Sequence, residues 1–163
     1  MNIRKLACVV LAILTFVGCN RSKTYSTPNG SVTVQEHGKN GSNVTVTGKN
    51  GEQVTINSEG GKIPDDYPKD VPVASNVKVI LASSVNNNDE KGTTLLLESN
   101  DSLDHLTDFY KKGLAEAAWK IDTTMTQPEM TIIAAEKDNR QLSLNIQKSE
   151  GKCTISQNVA VKH

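Results

Sequence analysis

Short runs in which branched aliphatic residues alternate with threonine constrain the fold of this chain more than any other sequence feature. Each run places two aliphatic side chains on one side of an extended backbone and a threonine on the other. Turn-forming stretches separate the runs, and Asn40–Gly41 and Asn50–Gly51 are strong hairpin signals. The pattern predicts a small antiparallel meander within a β repeat segment over residues 30–59. Its three runs have the sequences GSVTV, GSNVTV and GEQVTI.

The repeat segment has too few apolar side chains to fold by itself. Its valine and isoleucine side chains contribute about 1.5–3 kcal/mol each on burial, whereas ordering the segment costs about 1.5 kcal/mol per residue. We therefore expect it to dock on the following domain, to pair with another chain, or to fray. Its period is also similar to the start of a β-solenoid, although three units are marginal for that architecture. Its Thr and Asn face could bind glycan, or the segment could be a simple spacer.

The chain after residue 73 predicts an α+β domain. Two aliphatic runs, Val77–Ala82 and Thr93–Glu98, precede a segment in which apolar residues recur at three- and four-residue steps, as in a helix. Asp101 or Ser102 can cap this helix. Further strands are predicted at 119–123, 129–137, 140–148 and 152–161, and the helical stripe comprises Leu103, Leu106, Phe109, Tyr110, Leu114 and Ala117.

These elements predict the order β-β-α-β-β-β-β, a single helix packed on an antiparallel sheet over residues 73–163. Pro64, Pro68 and Pro72 restrict the local backbone and predict a semi-stiff, extended linker over 60–72. The polar sequence up to residue 29 has no apolar periodicity, which predicts a tether over 19–29.

The first eighteen residues have the parts of an export signal. Arg4 and Lys5 precede an apolar run from Leu6 to Val17. As a helix this run would be about 18 Å long, too short for a hydrocarbon core of about 30 Å. We therefore expect a signal peptide over residues 1–18 and not a lasting transmembrane helix.

The end of this signal, Phe16-Val17-Gly18-Cys19, resembles the lipobox of bacterial prolipoproteins, with Phe16 where Leu is usual. The resemblance implies cleavage before Cys19, diacylglycerol on its sulfur and acylation, typically with palmitate, of the new amino group. Asn20 resembles the outer-membrane default of the sorting rule for Gram-negative lipoproteins. We therefore expect a membrane-anchored lipoprotein of the outer membrane that faces the periplasm. The alternative is an ordinary secretory signal that contains a cysteine.

Residues 63–160 resemble an uncharacterised domain of bacterial envelope proteins. The sequence IPDDYPKDVP at 63–72 is similar to its Leu-Pro-x-x-Phe-Pro-x-Asp-Val-Pro lead-in, with Tyr67 in place of Phe. The sequence FYKKGLAEAAW at 109–119 is similar to its Phe-Tyr-x-x-x-Leu-x-x-x-Gly-Trp helix, with Ala118 in place of Gly. This resemblance implies a fold and brings no activity with it.

Charge and cysteine content exclude two features. Removal of the leader leaves sixteen basic and eighteen acidic residues, a balance unlike the basic face that nucleic-acid binding requires. Cys8 leaves with the leader and Cys19 would carry lipid, so no intrachain disulfide is expected. Cys153 lies on the apolar side of a strand pattern and is expected to be a buried free thiol.

The sequence contains no motif for catalysis, cofactor binding or metal binding. It has no His-x-x-x-His or Cys-x-x-Cys pair, no G-x-S-x-G motif and no glycine-rich phosphate loop. His105 lies among three aspartates, but a solvated helix face accounts for it. The sequence therefore predicts no catalytic residue, no cofactor and no metal, and a protein that is not an enzyme.

Two functions of different classes follow. The first is a lipid-anchored interaction or accessory module that meets an envelope protein or glycan, in an unknown oligomeric state. The second is a binding protein for a small or amphiphilic ligand held between helix and sheet, in space left by Gly113, Ala117 and Ala118. A weaker third option is a hydrolase that uses carboxylates of the segment from Asp65 to Asp70.

Overall fold

The structure, a computed structural model, describes residues 21–36, 41–58, 62–65, 67–86 and 91–162. Among these residues, ten strands and one helix follow one another along the chain. The elements are β1 (Arg21–Thr27), β2 (Gly30–Glu36), β3 (Ser42–Gly48), β4 (Gln53–Ser58), β5 (Lys78–Asn86), β6 (Lys91–Ser99), α1 (Leu103–Glu116), β7 (Lys120–Gln127), β8 (Met130–Lys137), β9 (Arg140–Ser149) and β10 (Lys152–Val161).

All ten strands belong to one antiparallel sheet with the order β1-β2-β3-β4-β5-β6-β10-β9-β8-β7. Short connections join each strand to its neighbour except at two places: a segment of nineteen residues separates β4 from β5, and after β6 the chain passes through α1 to the far edge and returns strand by strand to β10. The predicted α+β class and the order β-β-α-β-β-β-β are confirmed by the elements from β5 to β10. Within the part of the chain described here, no helix is long and apolar enough to span a bilayer.

The core lies between α1 and one side of the sheet, called here the helix face. The predicted helical stripe is confirmed, because its leucines and Tyr110 are buried against this face. In β6 and β8–β10 alternate residues are buried on this face, as the two-residue period of a strand requires. The buried aliphatic side chains of the sheet include Leu95, Leu97, Ile133, Leu144, Ile146 and Ile155.

Local signals account for both ends of α1. Ser102 is the N-cap, and its Oγ accepts a hydrogen bond of 3.2 Å from the backbone N–H of His105. At the other end Trp119 N–H donates to Leu114 C=O at 2.9 Å and Ala118 N–H to Ala115 C=O at 3.0 Å. This pattern is a Schellman motif, and it places Ala118 in the left-handed region, at φ 58°.

The N-terminal strands extend the sheet at its edge. Of the three outcomes expected for the repeat segment, the structure shows docking on the following domain, because β4 pairs side by side with β5. The expected tether differs: Arg21–Thr27 forms β1 and pairs along its whole length with β2. Main-chain N–H and C=O groups at a strand edge can pair whatever the side chains are, which accounts for both results.

The register reverses the polarity of the two faces where the N-terminal strands begin. Thr55 and Asn57 of β4 lie opposite Ser84 and Ala82 of β5, and Ala82 is fully buried opposite Leu95 on the helix face. The threonine side of β1–β4 is therefore continuous with the helix face. The valine side lies on the opposite surface of the sheet, away from α1.

Ala118→Gly should stabilise the protein by roughly 1 kcal/mol, because a β-carbon in the left-handed region is strained and glycine is not. Ala115→Gly is the matched control: Ala115 is exposed inside α1, where glycine should destabilise by about 1 kcal/mol. Urea unfolding followed by circular dichroism measures both. Equal destabilisation by the two substitutions would contradict the strain at Ala118.

Candidate functional site

A segment without regular secondary structure, residues 62–65 and 67–73, crosses the helix face beside α1; we call it the strap. Tyr67 and Val71 of the strap are buried in the same core as the leucines of α1. Short turns shape it, with Tyr67 N–H donating to Pro64 C=O and Val71 N–H to Pro68 C=O. The strap is therefore part of the core, which differs from the extended linker that its prolines predicted.

Gln157 of β10 holds the strap from the centre of the helix face. Its fully buried side-chain amide accepts a hydrogen bond from the Tyr67 hydroxyl. Its Nε2 donates to the Tyr110 hydroxyl at 2.8 Å and to the Pro72 carbonyl at 3.1 Å. The amide thereby joins strap, helix and sheet at one point.

The two tyrosines of this network stay protonated. Burial raises the pKa of Tyr110 to about 12 and raises the pKa of Tyr67 further. Desolvation is the main cause for both, because the phenolate would lose its hydration. Neither hydroxyl is suited to act as a base at neutral pH, so the network fastens the strap rather than moving protons.

A charge cluster fixes the strap at Asp70, between the two residues that Gln157 holds. Nη1 and Nη2 of Arg140 donate to the Asp70 carboxylate, at 2.8 and 2.7 Å, and Lys137 Nζ donates to it at 2.8 Å. These bonds, that of Arg140 foremost, hold the pKa of Asp70 well below its ordinary value. Bidentate pairing of this kind is strong and directional.

The same cluster fastens the end of α1. Lys137 Nζ also donates to the Ala117 carbonyl at 2.8 Å, which satisfies one of the free carbonyls at the helix C-terminus. Trp119 is buried, and its Nε1 donates to the backbone carbonyl of Asp70 at 2.9 Å. The Arg140 guanidinium carbon lies 5.0 Å from the Trp119 ring centroid.

An open groove of about 680 Å³ runs along the strap. Its wall is mostly apolar, with Asp65 and Lys69 as its charged residues. Because hydrogen bonds fix the strap to the core at Tyr67, Asp70 and Pro72, this wall is preorganised for a binding partner. The apolar lining comprises Ile63, Pro64, Tyr67, Pro68, Val71, Pro72 and Val73.

The small residues of α1 make room for the strap. A β-carbon on Gly113 would lie 2.9 Å from Cβ of Pro72, which is closer than van der Waals contact allows. The prediction that small side chains such as Gly113 leave space for a guest is therefore wrong at this position, because Pro72 occupies the space.

A row of threonines crosses β1–β4 on the threonine side of the sheet. Thr24 and Thr33 share a hydrogen bond of 3.0 Å between their hydroxyls, and Thr45 and Thr55 share one of 3.4 Å. The row is in register across all four strands. Because its hydroxyls bond each other in pairs, each has less capacity left for an external ligand such as a glycan.

The other candidate residues of the sequence, Cys19, Cys153 and His105, are not part of this site. Cys19 lies outside the described residues. Cys153 is a buried free thiol, as predicted, and burial raises its pKa. His105 is exposed on α1, 3.7 Å from Asp101, and among the described residues no group of acidic, histidine or cysteine side chains could hold a metal ion.

Sequence reasoning missed three residues of the site. Lys137 and Arg140 lie in or beside a turn and gave no signal, because their partner Asp70 is far away in sequence. Gln157 did give one: it is the polar exception in the apolar side of the β10 pattern. A polar residue at a buried position must find a partner inside the protein.

A family model described as START domain-like matches residues 79–152, from β5 through α1 to the first residue of β10. The match covers a little under half of the chain and leaves out the strap and β1–β4. No curated protein and no solved structure matches the chain.

Asp70→Asn should lower the free energy of unfolding by roughly 1–3 kcal/mol at neutral pH, because Lys137 and Arg140 lose their shared anion. Asp138→Asn is the matched control, since Asp138 lies 3.8 Å from Arg140 but its side chain is 75% exposed, against 30% for Asp70. We expect the control to change stability little.

The stability from Asp70 should also depend on pH. Its folded-state pKa is depressed, so the contribution is complete above the unfolded-state pKa of about 3.9 and is lost as pH falls further. The native protein should lose stability between about pH 5 and pH 2 more steeply than Asp70→Asn. Parallel pH profiles, measured by urea unfolding, would contradict this role of Asp70.

Proposed function

We propose that this chain is an exported lipoprotein, anchored to the membrane by acylated Cys19, and that its folded part is a non-catalytic binding module of the cell envelope. The observation that carries the proposal is the leader, which ends in Gly18–Cys19 directly before the first strand. Two or more acyl chains on one cysteine are enough for stable anchoring.

The position of β1 limits the distance between the proposed anchor and the sheet. Cys19 and Arg21, the first residue of β1, are two residues apart and cannot be separated by more than about 7 Å. The anchor and the sheet are thus adjacent, with no spacer between them. The strap and the helix belong to the distant, C-terminal half of the sheet.

The groove along the strap is the surface on this module that we propose for a partner. It is apolar, it is held open by Gln157 and by Asp70, and it is lined by prolines, whose rigid backbone loses little entropy on binding. These properties favour an envelope protein with an exposed apolar segment over a glycan, which would require more free polar groups.

Cys19→Ala should move the protein from the membrane fraction to the soluble fraction, or stall it as an unprocessed precursor. Fractionation and intact-mass measurement of wild-type and variant proteins test this. Cys153→Ala is the matched control, because its thiol is buried and should carry no lipid. An unchanged membrane fraction for Cys19→Ala would refute the lipid anchor.

A second candidate function is the binding of a small or amphiphilic ligand. Two observations favour it: the START domain-like match over residues 79–152 and the apolar groove beside α1. The ligand would lie along the strap or would displace it from the helix face, since Tyr67 and Pro72 fill the space beneath it.

Native mass spectrometry of gently purified protein distinguishes this candidate. A bound ligand would add a constant mass that is lost on denaturation. Ile63→Ser in the groove should reduce the occupied fraction, whereas Ile132→Ser in β8, outside the groove, should not. A protein that is always empty, or equal occupancy in both variants, would exclude the groove as the ligand site.

A further inference from the structure

The valine side of β1–β4 forms a continuous apolar surface, called here the valine face. It consists of two rows of side chains that are in register across the four strands. One row is Tyr25, Val32, Val46 and Val54, and the other continues from Lys23 of β1 through Val34, Val44 and Ile56.

This face is uncovered in the described part of the chain. Tyr25 is 57% exposed, Val46 43% and Ile56 39%, whereas the aliphatic side chains on the helix face are buried. The helix and the strap lie on the other side of the sheet, and β1–β4 have extensive contacts only with their neighbouring strands. Contiguous exposed apolar surface of this kind usually marks a contact site.

We propose that the valine face lies against the lipid bilayer to which Cys19 is anchored. This inference rests on the proposed lipidation, because it uses the position of the anchor. A thioether-linked lipid two residues before β1 places the bilayer surface within about 7 Å of the strand that borders the valine face. The anchor also raises the effective concentration of lipid at the face, so weak contact is sufficient.

The size of the face argues against a second copy of the chain as its occupant. The two rows of the face comprise eight residues. A stable interface takes about 20–30 residues from each partner. The face is too small to hold a dimer by itself, but it is large enough to orient a protein that is already tethered.

The polar residues of the face suit a neutral or mixed interface. Lys23 and Glu36 both lie on this side of the sheet and carry opposite charges. Tyr25, the most exposed large hydrophobic residue of the face, combines an apolar ring with a hydroxyl, as residues at the level of lipid headgroups do. Contact should therefore depend mainly on apolar burial.

The test uses tryptophan as a depth probe. The chain from Cys19 to His163 is coupled through the Cys19 thiol to maleimide lipid in vesicles of phosphatidylethanolamine and phosphatidylglycerol, which replaces biological lipidation. Trp119, the one native tryptophan, is buried and provides a constant background. Tyr25→Trp places a reporter on the valine face, and Thr24→Trp places one a single residue away on the opposite side.

Brominated acyl chains should reduce the added emission of Tyr25→Trp about two-fold or more, as expected for a side chain at the acyl boundary, and leave Thr24→Trp nearly unchanged. Val46→Asp in the Tyr25→Trp background should abolish the quenching, with circular dichroism to verify the fold. Equal quenching at both positions, or none at either, would overturn the proposal. A change in the emission of Tyr25→Trp that depends on protein density and not on bromine would also overturn it, and would assign the face to a second copy.

This experiment and the fractionation of Cys19→Ala fail independently. Chemical coupling supplies the anchor in the vesicles, so the absence of quenching in Tyr25→Trp would reject the lipid contact alone. An unchanged membrane fraction for Cys19→Ala would reject the biological anchor alone.

Discussion

The architecture depends on how one buried amide is satisfied. Gln157 lies in the middle of the helix face, where an unpaired amide would destabilise the fold by about 1–3 kcal/mol. The Tyr67 and Tyr110 hydroxyls and the Pro72 carbonyl complete its hydrogen bonds. Satisfying this side chain therefore requires the strap to lie beside the helix. The position of the strap in turn fixes the groove, the place of Pro72 against Gly113 and the approach of Asp70 to Arg140.

The second determinant is the register between β4 and β5. It makes ten strands one sheet, but it gives the two halves of that sheet opposite polarity. The C-terminal half buries its apolar side under α1 and the strap, whereas the N-terminal half turns its valines to the other surface. The two surfaces that we propose for binding, the groove along the strap and the valine face, therefore lie on opposite sides of the sheet.

The elements that are stabilised by their own side-chain pattern could be predicted from the sequence. The α1 stripe, the alternation of β9, the bounds of β10 and the burial of Cys153 all follow from local periodicity. Strand β1 could not be predicted in this way, because RSKTYST has no apolar alternation and is ordered by main-chain pairing with β2. The strap could not be predicted either, since its prolines report only local stiffness.

The site shows the same division. Tyr67 and Gln157 are ninety residues apart, and Asp70 and Arg140 are seventy apart, so no sequence window contains either pair. Only the polar character of Gln157 within an apolar pattern indicated that something had to meet it. The lipidation of Cys19, in contrast, is inferred wholly from a local motif and stays a prediction from the sequence.

The edge-on growth of the sheet has a consequence for the order in which the chain acquires structure. Strands β1–β4 have no core of their own and gain order from the edge of β5, whose opposite neighbour β6 is held in turn by β10. The sheet edge on which β1–β4 pair is therefore complete only after β10, the last strand to be synthesised, has paired with β6. The first strands to be synthesised are thus the last to gain a stable partner, and β1, next to Cys19, is the last of all.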